Sequence, residues 1–439
     1  MRMEDLVIAS VDDHLIEPPD MFRHHLTVAE RESAPHVVDL GNAEVWVWDD
    51  ITVNSIGLNS VVGRPRHQWG MEPTRFDQMR RGSWDVDARV DDMNVNGVLG
   101  SMCFGTFIGF AGDLFVRRAQ KDPANALRIV QAYNDWHIDE WCGAHPGRFV
   151  PMANLPLWDV DATVAEIRRV VGKGCRAVTF PDNPAIKGLP SIHNEAWEPL
   201  WGVCNDEEVM LNCHIGTGYA PPHPSLESPI EAWITGMPIS IANSAADWMT
   251  LEAFTRYPNL RMALSEGGIG WVPYLLERAD FTHRHHRDWT YKDYGDKKPS
   301  DIFREHILTC FIEDDFGLAN RHAIGLDNIA LEVDYPHSDC LWPDYPEGIW
   351  RSIQTVPGGI PDDEIDAISH GNVMRWYHYD PFSVLGGRDN CTVGALRARA
   401  KGVDTSTVAL GGAAPLAAGE RRVVTSGDII PLFAANAGD

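Results

Sequence analysis

The sequence predicts a (β/α)8 barrel, and three observations support this fold class. Apolar runs of strand length alternate along the chain with segments whose apolar residues follow helical spacing. Side chains that can bind a metal follow several of the runs, at the positions where barrel enzymes place their active sites. No GxGxxG motif follows any run, which argues against the alternative, an open doubly wound sheet.

Eight apolar runs are the predicted strands of the barrel. Each has the length of a buried strand and is separated from the next by a longer segment. The runs comprise residues 7–11, 97–104, 148–155, 175–180, 209–214, 260–266, 307–312 and 329–334.

Helices are predicted between the strands, at residues 124–143, 160–171, 195–203, 244–257 and 270–287. Asp122, Asp159 and Asn243 are predicted N-caps, because their short side chains accept a hydrogen bond from a first-turn amide. Pro123 suits the first helical position after Asp122. The alternation of strand and helix is typical of a parallel barrel.

Two segments fall outside this alternation. Residues 29–84 are rich in Trp, Val and Gly and predict an insertion after the first strand, partly β and lying over the barrel mouth. After residue 380 the composition shifts to Ala, Gly, Val and Thr, which predicts a C-terminal extension over 381–439, docked on the barrel or on a neighbouring subunit. We therefore expect a catalytic domain over 1–380 that includes the insertion.

Composition restricts the partners and the compartment. A net charge of -26 disfavours nucleic acid and anionic membranes. No stretch approaches the ~18 apolar residues of a membrane helix. The eight cysteines are scattered without a CxxC pair, and the N-terminus lacks the features of a signal peptide, so we expect a cytoplasmic protein with reduced thiols. A homodimer is the default expectation.

The end of the first strand carries three potential metal ligands. Asp12 and His14 are two residues apart and therefore point to the same face of a strand. Glu17 is expected in the following loop, because Pro18-Pro19 prevents a longer strand. Such a short cluster is by itself more often a solvated turn.

Three other predicted strands end in residues of the same kind. His214, Glu266 and Asp334 close the fifth, sixth and eighth strands. His337 follows Asp334 by three residues and is expected to reach the metal or the substrate, and Glu332 is expected beneath Asp334 as a supporting partner. Buried charges aimed into one cavity require a cation, so the set predicts a metal site.

The second half of the insertion holds five arginines, and two interpretations of them stay open. In the first, they form a solvated, salt-bridged surface. Alternatively, Arg64 and Arg66 bind the phosphates of the substrate.

Four stretches of the chain resemble the amidohydrolase-2 branch of the amidohydrolase superfamily, which includes aminocarboxymuconate semialdehyde and resorcylate decarboxylases. They are Asp12-Asp-His14, His214, Ser265-Glu-Gly-Gly-Ile-Gly-Trp271 and Asp334-Tyr-Pro-His-Ser338. The resemblance covers about residues 5 to 380. It implies a TIM barrel whose metal is held by Asp12, His14, His214 and Asp334.

Glu266 departs from this family pattern, because the decarboxylases and hydrolases usually have a histidine there. A glutamate adds a metal ligand, and the inward candidates then exceed the three or four protein ligands of one zinc. The candidates are Asp12, His14, Glu17, His214, Glu266, Asp334 and His337. A carboxylate-rich set with several histidines is typical of di-iron centres.

On this count the chain resembles the TIM-barrel nonheme di-iron monooxygenases related to the terpenoid-CoA hydroxylase of platensimycin and platencin biosynthesis. The resemblance implies two Fe ions that reduce O2 and hydroxylate a small hydrophobic, CoA-linked substrate of secondary metabolism. An aromatic mouth would shelter the oxidant, with candidates Trp46, Trp48, Phe104, Phe107 and Trp342.

The alternative function is a mononuclear Zn or Mn enzyme that hydrolyses or decarboxylates its substrate. Glu266 would then be the catalytic base and His337 would polarise the substrate. A third possibility is a barrel that only binds a ligand, against which the intact set of metal-binding residues argues.

Overall fold

The computed structural model describes residues 1–218 and 223–433. Eleven strands occur in this part of the chain, and we number them in chain order. They are β1 (Ala9–Leu15), β2 (His36–Asp39), β3 (Glu44–Trp48), β4 (Ile51–Val53), β5 (Gly100–Gly105), β6 (Met152–Ala153), β7 (Ala177–Thr179), β8 (Met210–His214), β9 (Arg261–Ser265), β10 (Ile307–Phe311) and β11 (Ile329–Leu331).

Eight of these strands form a nearly closed parallel barrel, in the order β5-β1-β11-β10-β9-β8-β7-β6. The seam between β5 and β6 is closed by a parallel bridge from Ser101 to Phe149. Each of the eight predicted runs overlaps a barrel strand, so the predicted fold class is confirmed. One apolar cluster fills the barrel interior, and a larger one packs between the barrel and its helices.

The first strand is longer than predicted and contains a β-bulge. Its register against β5 shifts between Ser10 and Asp13, where three steps along β1 match two steps along β5. Val11 packs into the interior cluster, and His14 pairs with the inward-facing Phe104. The extra residue thus allows Asp12 to face the interior as well, which is how a bulge redirects side chains near an active site.

Helices surround the barrel as expected, and most predicted ones are present. The longer helices are Val86–Val95, Pro123–Trp136, Val160–Val171, Glu198–Asp206, Ile230–Trp248, Val272–Thr290, Pro299–His306, Tyr345–Thr355 and Ser426–Phe433. The shorter ones are Val28–Arg31, Asp113–Ala119, Ala253–Arg256, Asp315–Ala319, Arg321–Ile324, Asp362–Asp366, Asn372–Trp376, Pro381–Leu385 and Val393–Arg399. Single π-helical turns follow two helices, at His137–Cys142 and Ala367–Gly371.

Two of the three predicted N-caps are correct. Asp122 accepts a hydrogen bond from the amide of Asn125, and Asp159 accepts one from the amide of Ala162. The prediction for Asn243 is wrong, because the helix there already begins at Ile230 and Asn243 lies in its interior. The apolar run 232–242 before Asn243 continues the helical pattern toward the N-terminus.

Residues 29–84 contain the antiparallel sheet β2-β3-β4. The segment contacts loops at the C-terminal ends of barrel strands: the amides of Val61 and Val62 donate to the carbonyl of Pro336, and Trp46 stacks on Phe107 at 4.3 Å between ring centroids.

The C-terminal segment pairs with two distant parts of the chain. Ala413 forms an antiparallel bridge with Glu72 of the insertion, and Thr425 forms one with Pro229. The division into a catalytic domain and an extension stays a prediction.

All eight cysteines are free and buried, as the sequence predicts. No helix of residues 1–218 and 223–433 has both the length and the apolar character required to cross a membrane.

Arg148 stabilises the seam of the barrel, and this role is testable. Its buried guanidinium donates to the carbonyls of Val98 and Leu99, at 3.0 and 2.8 Å. We expect Arg148→Met to lower the free energy of unfolding by about 3 kcal/mol, because it leaves buried acceptors unpaired. Urea unfolding followed by circular dichroism measures this change. The exposed Arg168→Met is the matched control, and equal, small effects of the two variants would contradict the role.

Candidate metal centre

His14 lies at the centre of a cluster of buried polar side chains. Its Nε2 is 3.6 Å from Asp12 Oδ1, 3.4 Å from Asp334 Oδ1 and 3.2 Å from His214 Nε2. These atoms come from β1, from the end of β8 and from the loop after β11, so three separate parts of the barrel meet at one point.

His214 is oriented by the backbone beneath it. Its Nδ1 lies 2.7 Å from the carbonyl oxygen of Ile215, so Nδ1–H donates there and Nε2 faces the cluster. Nε2 is 2.8 Å from Glu266 Oε2 and 3.7 Å from Asp12 Oδ2. A metal-binding imidazole typically has its other nitrogen fixed in this way.

His337 completes the cluster on the side of Asp334. Its Nδ1 lies 2.9 Å from Asp334 Oδ1, and its ring stacks on that of His14 with 3.8 Å between centroids. The side chain of Glu266 is 16 % exposed, whereas Asp334 is 1 % exposed, so Glu266 lies on the open side of the cluster.

The two aspartates show that a cation fits this cluster. Among the residues that the structure describes, both carboxylate oxygens of Asp12 and both of Asp334 are buried without a hydrogen-bond partner. A buried carboxylate in this state costs several kcal/mol unless a positive charge compensates it. Two overlapping groups of potential ligands, which share His14, have their donor atoms within 4.8 Å of one another. Imidazole and carboxylate donors together suit Zn or Mn.

The pKa values of the cluster also favour the binding of a cation. Burial raises the pKa of Asp12 and of Asp334 well above the usual value for a carboxyl group. Burial also lowers the pKa of His14, and it lowers that of His337 to about 4. For His214, burial is outweighed by the nearby carboxylates, which raise the pKa to about 9. A proton on His214 therefore compensates part of the negative charge.

Strained backbone presents two of the acidic residues. Glu266 has a φ of 60° and Asp334 a φ of 53°, in the left-handed region that non-glycine residues rarely adopt. The amide of Glu266 donates to Glu332 Oε2 at 3.1 Å, and that of Asp334 donates to the carbonyl of Asp12 at 2.9 Å. Glu332 thus supports the cluster from below.

A second layer beneath β1 was not recognised in the sequence. Arg89 is buried and donates to the carbonyls of Gly82 and His14. Asp13 accepts hydrogen bonds from the hydroxyl of Ser101 and from the amide of Tyr335, the latter at 2.9 Å. The alternation of β1 places Asp13 on the other face, but only the fold brings these partners to it.

Glu17 does not lie in the cluster, which corrects its prediction as a metal ligand. Its Oε1 accepts hydrogen bonds from the amide of Thr106 and the hydroxyl of Tyr133, and its Oε2 accepts one from the amide of Phe107. It belongs to neither ligand group around His14. Its oxygens are occupied by the loop after β5.

The phosphate-binding prediction for Arg64 is wrong for a similar reason. Its guanidinium is buried and donates to the main-chain carbonyls of Met71, Gln78 and Gly411. Arg66 is exposed and lies over the ring of Trp69, and nothing in these contacts favours a phosphate site. The other three arginines form ion pairs: Arg75 with Asp39, Arg80 with Asp92 and Arg81 with Asp85.

Two aromatic side chains border the cluster. The ring centroid of Phe104 lies 5.0 Å from that of His214, and the Phe110 centroid lies 4.3 Å from it. Phe110 was missed because it belongs to no motif. Of the other aromatic candidates, Trp46 and Phe107 stack on each other one layer out. Trp48 packs on Phe115, and Trp342 donates to the carbonyl of Asp92.

Comparison with known proteins identifies the family. A family model described as Amidohydrolase, Amidohydro_2, matches residues 22–379. The chain belongs to this amidohydrolase family. Two curated relatives are a 2-amino-3-carboxymuconate-6-semialdehyde decarboxylase from Dictyostelium discoideum and a gamma-resorcylate decarboxylase from Rhizobium. The first is 23% identical over a region that covers 47% of this amidohydrolase and 54% of the relative. The second is 25% identical over a region that covers 50% of this amidohydrolase and 69% of the relative.

Solved structures share the barrel of this amidohydrolase. An amidohydrolase from Mycobacterium avium subsp. paratuberculosis is 20% identical, with a TM-score of 0.64 over 85% of this chain and 99% of that one. A 5-carboxyvanillate decarboxylase from Sphingomonas paucimobilis is 18% identical, with a TM-score of 0.57 over 85% and 100%. A mutant 5-carboxyvanillate decarboxylase from Novosphingobium aromaticivorans, solved with bound manganese, is 15% identical, with a TM-score of 0.57 over 86% of this chain and 99% of that one.

These findings overturn the prediction of a nonheme di-iron monooxygenase, and they do not support its two Fe ions. The curated relatives of this amidohydrolase are decarboxylases, and the similar solved structures include decarboxylases and an amidohydrolase. The prediction depended on a count of seven ligands that included Glu17, which is bonded to the loop after β5 instead. The coarser prediction of a metal-binding amidohydrolase-type barrel holds.

Substitution of Asp334 tests the metal centre. We expect Asp334→Asn to bind little or no Mn(II) or Zn(II), as measured by elemental analysis after gel filtration. In the metal-free form, the same variant should be more stable than the wild type. We expect its free energy of unfolding to be about 1–3 kcal/mol higher, because the substitution removes a buried carboxyl group whose charge is not fully compensated. The exposed Asp288→Asn is the control. Full metal content in Asp334→Asn would contradict the assignment.

Proposed function

We propose that this protein is a decarboxylase with a single divalent metal, Mn or Zn, that acts on a small carboxylic acid. The observation that carries the proposal is the pair of buried carboxylates, Asp12 and Asp334, which have no hydrogen-bond partner among the described residues and lie close to His14 Nε2. The curated relatives, named as decarboxylases, support the reaction type. Because the match covers about half of the first relative, the substrate itself is also a proposal.

Four residues are proposed to hold the metal: Asp12, His14, His214 and Asp334. When bound, the metal would attract and polarise a substrate carboxylate or a neighbouring oxygen. Two negative and two neutral ligands leave a divalent ion neutral overall, which suits the buried position of these side chains. The ring of His214 is held in the correct tautomer by the Ile215 carbonyl.

Glu266 and His337 are proposed to do the chemistry around the metal. In decarboxylation the bond to the carboxylate carbon breaks, its electron pair remains on the substrate, and CO2 leaves. A proton must then reach the carbon. Glu266 is on the open side of the cluster and would carry this proton. His337, whose Nδ1 contacts Asp334, would orient the substrate through Nε2, which is buried and has no partner in the described structure.

The walls of the site favour a flat, apolar substrate body. The ring centroids of Phe104 and Phe110 lie within 6 Å of those of His14 and His214, and neither phenylalanine offers a charged group. Such walls exclude water from the reacting carbon and strengthen the electrostatic interactions of the centre.

A panel assay tests the proposed reaction. We expect protein reconstituted with Mn(II) or Zn(II) to release CO2 from one or more of gamma-resorcylate, 5-carboxyvanillate and 2-amino-3-carboxymuconate-6-semialdehyde. Release should require the metal and disappear in Asp334→Asn, whereas Asp288→Asn should keep it. Amide hydrolysis without CO2 release from any acid would reject decarboxylation in favour of hydrolysis.

The role of Glu266 is tested by Glu266→Gln, which removes the titratable carboxyl group but keeps the size and shape of the side chain. We expect metal content to stay at the wild-type level and kcat to fall by about 10²–10⁴, the usual contribution of a general acid or base. The exposed Glu313→Gln should change neither quantity. Loss of metal together with activity would make Glu266 a ligand instead.

A further inference from the structure

We propose that Glu17 is a positioning residue, which holds the loop over residues 106–112 so that Phe110 forms a wall of the substrate site. This inference rests on the proposed function for its effect on substrate. Its effect on the loop can be measured without any substrate.

Three donors converge on the buried carboxylate of Glu17. The amide of Thr106 lies 2.9 Å from Oε1 and the amide of Phe107 lies 3.1 Å from Oε2. The hydroxyl of Tyr133, on the helix Pro123–Trp136, lies 2.9 Å from Oε1. Hydrogen bonds to a buried carboxylate are stronger than those between neutral groups. The carboxylate therefore fixes the backbone directly after β5.

The start of the loop is built around this contact. A Cβ atom at Gly105 would lie 2.1 Å from the hydroxyl of Tyr133 and 2.6 Å from Glu17 Oε1, so the close approach requires glycine. The hydroxyl of Thr106 donates to the carbonyl of Leu15 at 2.7 Å. These contacts leave little freedom in the path of the chain from β5 into the loop.

The other end of the loop lies at the metal centre. The Phe110 ring centroid is 4.5 Å from that of His14 and 4.3 Å from that of His214. The carbonyl of Phe110 accepts a hydrogen bond from the hydroxyl of Thr179 on β7. A shift of the loop at Phe107 would therefore move an aromatic ring relative to two proposed metal ligands.

The insertion is connected to the site through the same loop. Trp46 of β3 stacks on Phe107 with an angle of 16° between the rings. Phe107 is thus held on one side by Glu17, through its amide, and on the other by Trp46, through its ring. The chain can adjust its substrate wall here without changing a metal ligand.

Hydrogen exchange tests the positioning role directly. In Glu17→Gln, an amide nitrogen replaces one acceptor, so we expect exchange at the amides of Thr106 and Phe107 to accelerate by about tenfold or more in the metal-loaded protein. Metal affinity should stay within about twofold of the wild type. Unchanged exchange at both amides, or loss of the metal, would overturn the proposal.

Tyr133→Phe is the milder variant, and it tests the same role if Glu17→Gln does not fold. It removes one donor to Glu17 and should accelerate the same exchange to a smaller degree. Tyr345→Phe is the matched control, because the buried hydroxyl of Tyr345 has no partner among the described residues. Equal exchange in the two tyrosine variants would also overturn the proposal.

A double-mutant cycle tests whether the hydrogen bond between Tyr133 and Glu17 affects the substrate through Phe110. We expect Tyr133→Phe and Phe110→Ala each to raise KM several-fold while kcat changes little, and the double variant to match Phe110→Ala alone. Independent, multiplicative effects would contradict the connection. If the wild type releases no CO2, the proposed function fails while the exchange experiment still decides the role of Glu17.

Discussion

Two buried carboxylates that accept no hydrogen bond constrain the rest of this structure. Asp12 and Asp334 each bring a carboxylate oxygen within 3.6 Å of His14 Nε2, and none of their four oxygens accepts a hydrogen bond from the described residues. A protein interior holds two such carboxylates in their charged form only at a high cost, unless a cation compensates them. The imidazoles around them are oriented so that a nitrogen faces the same point. The charge of the proposed divalent metal would resolve this conflict, and it accounts for the position of these residues together.

Several local departures from regular backbone geometry orient the side chains of this cluster. A bulge in β1 turns Asp12 into the interior, and left-handed backbone at Glu266 and Asp334 turns the ends after β9 and β11 toward it. Beneath them, Arg89 and Asp13 bind the main chain of β1 and of the loop after β11. Strain of this kind persists only where surrounding contacts impose it, which indicates that the site and the fold are stabilised together.

The sequence was informative where the chemistry follows strand periodicity and misleading where it depends on distant contacts. Eight apolar runs predicted eight strands, and strand ends predicted that His14, His214 and Asp334 meet. No local pattern could show that Glu17 would meet Tyr133, or that Arg64 would bind the carbonyl of Gly411, because these partners are far along the chain. Counting Glu17 as a ligand then led to the wrong enzyme class.

Anomalous scattering from crystals grown with Zn(II) tests the central claim most directly. The account predicts one metal peak, with oxygen or nitrogen atoms of Asp12, His14, His214 and Asp334 at about 2.0–2.2 Å from it. It also predicts that Glu17 remains bonded to the loop after β5 in the same crystals. Two metal peaks bridged by carboxylates, or no peak between Asp12 and Asp334, would contradict it.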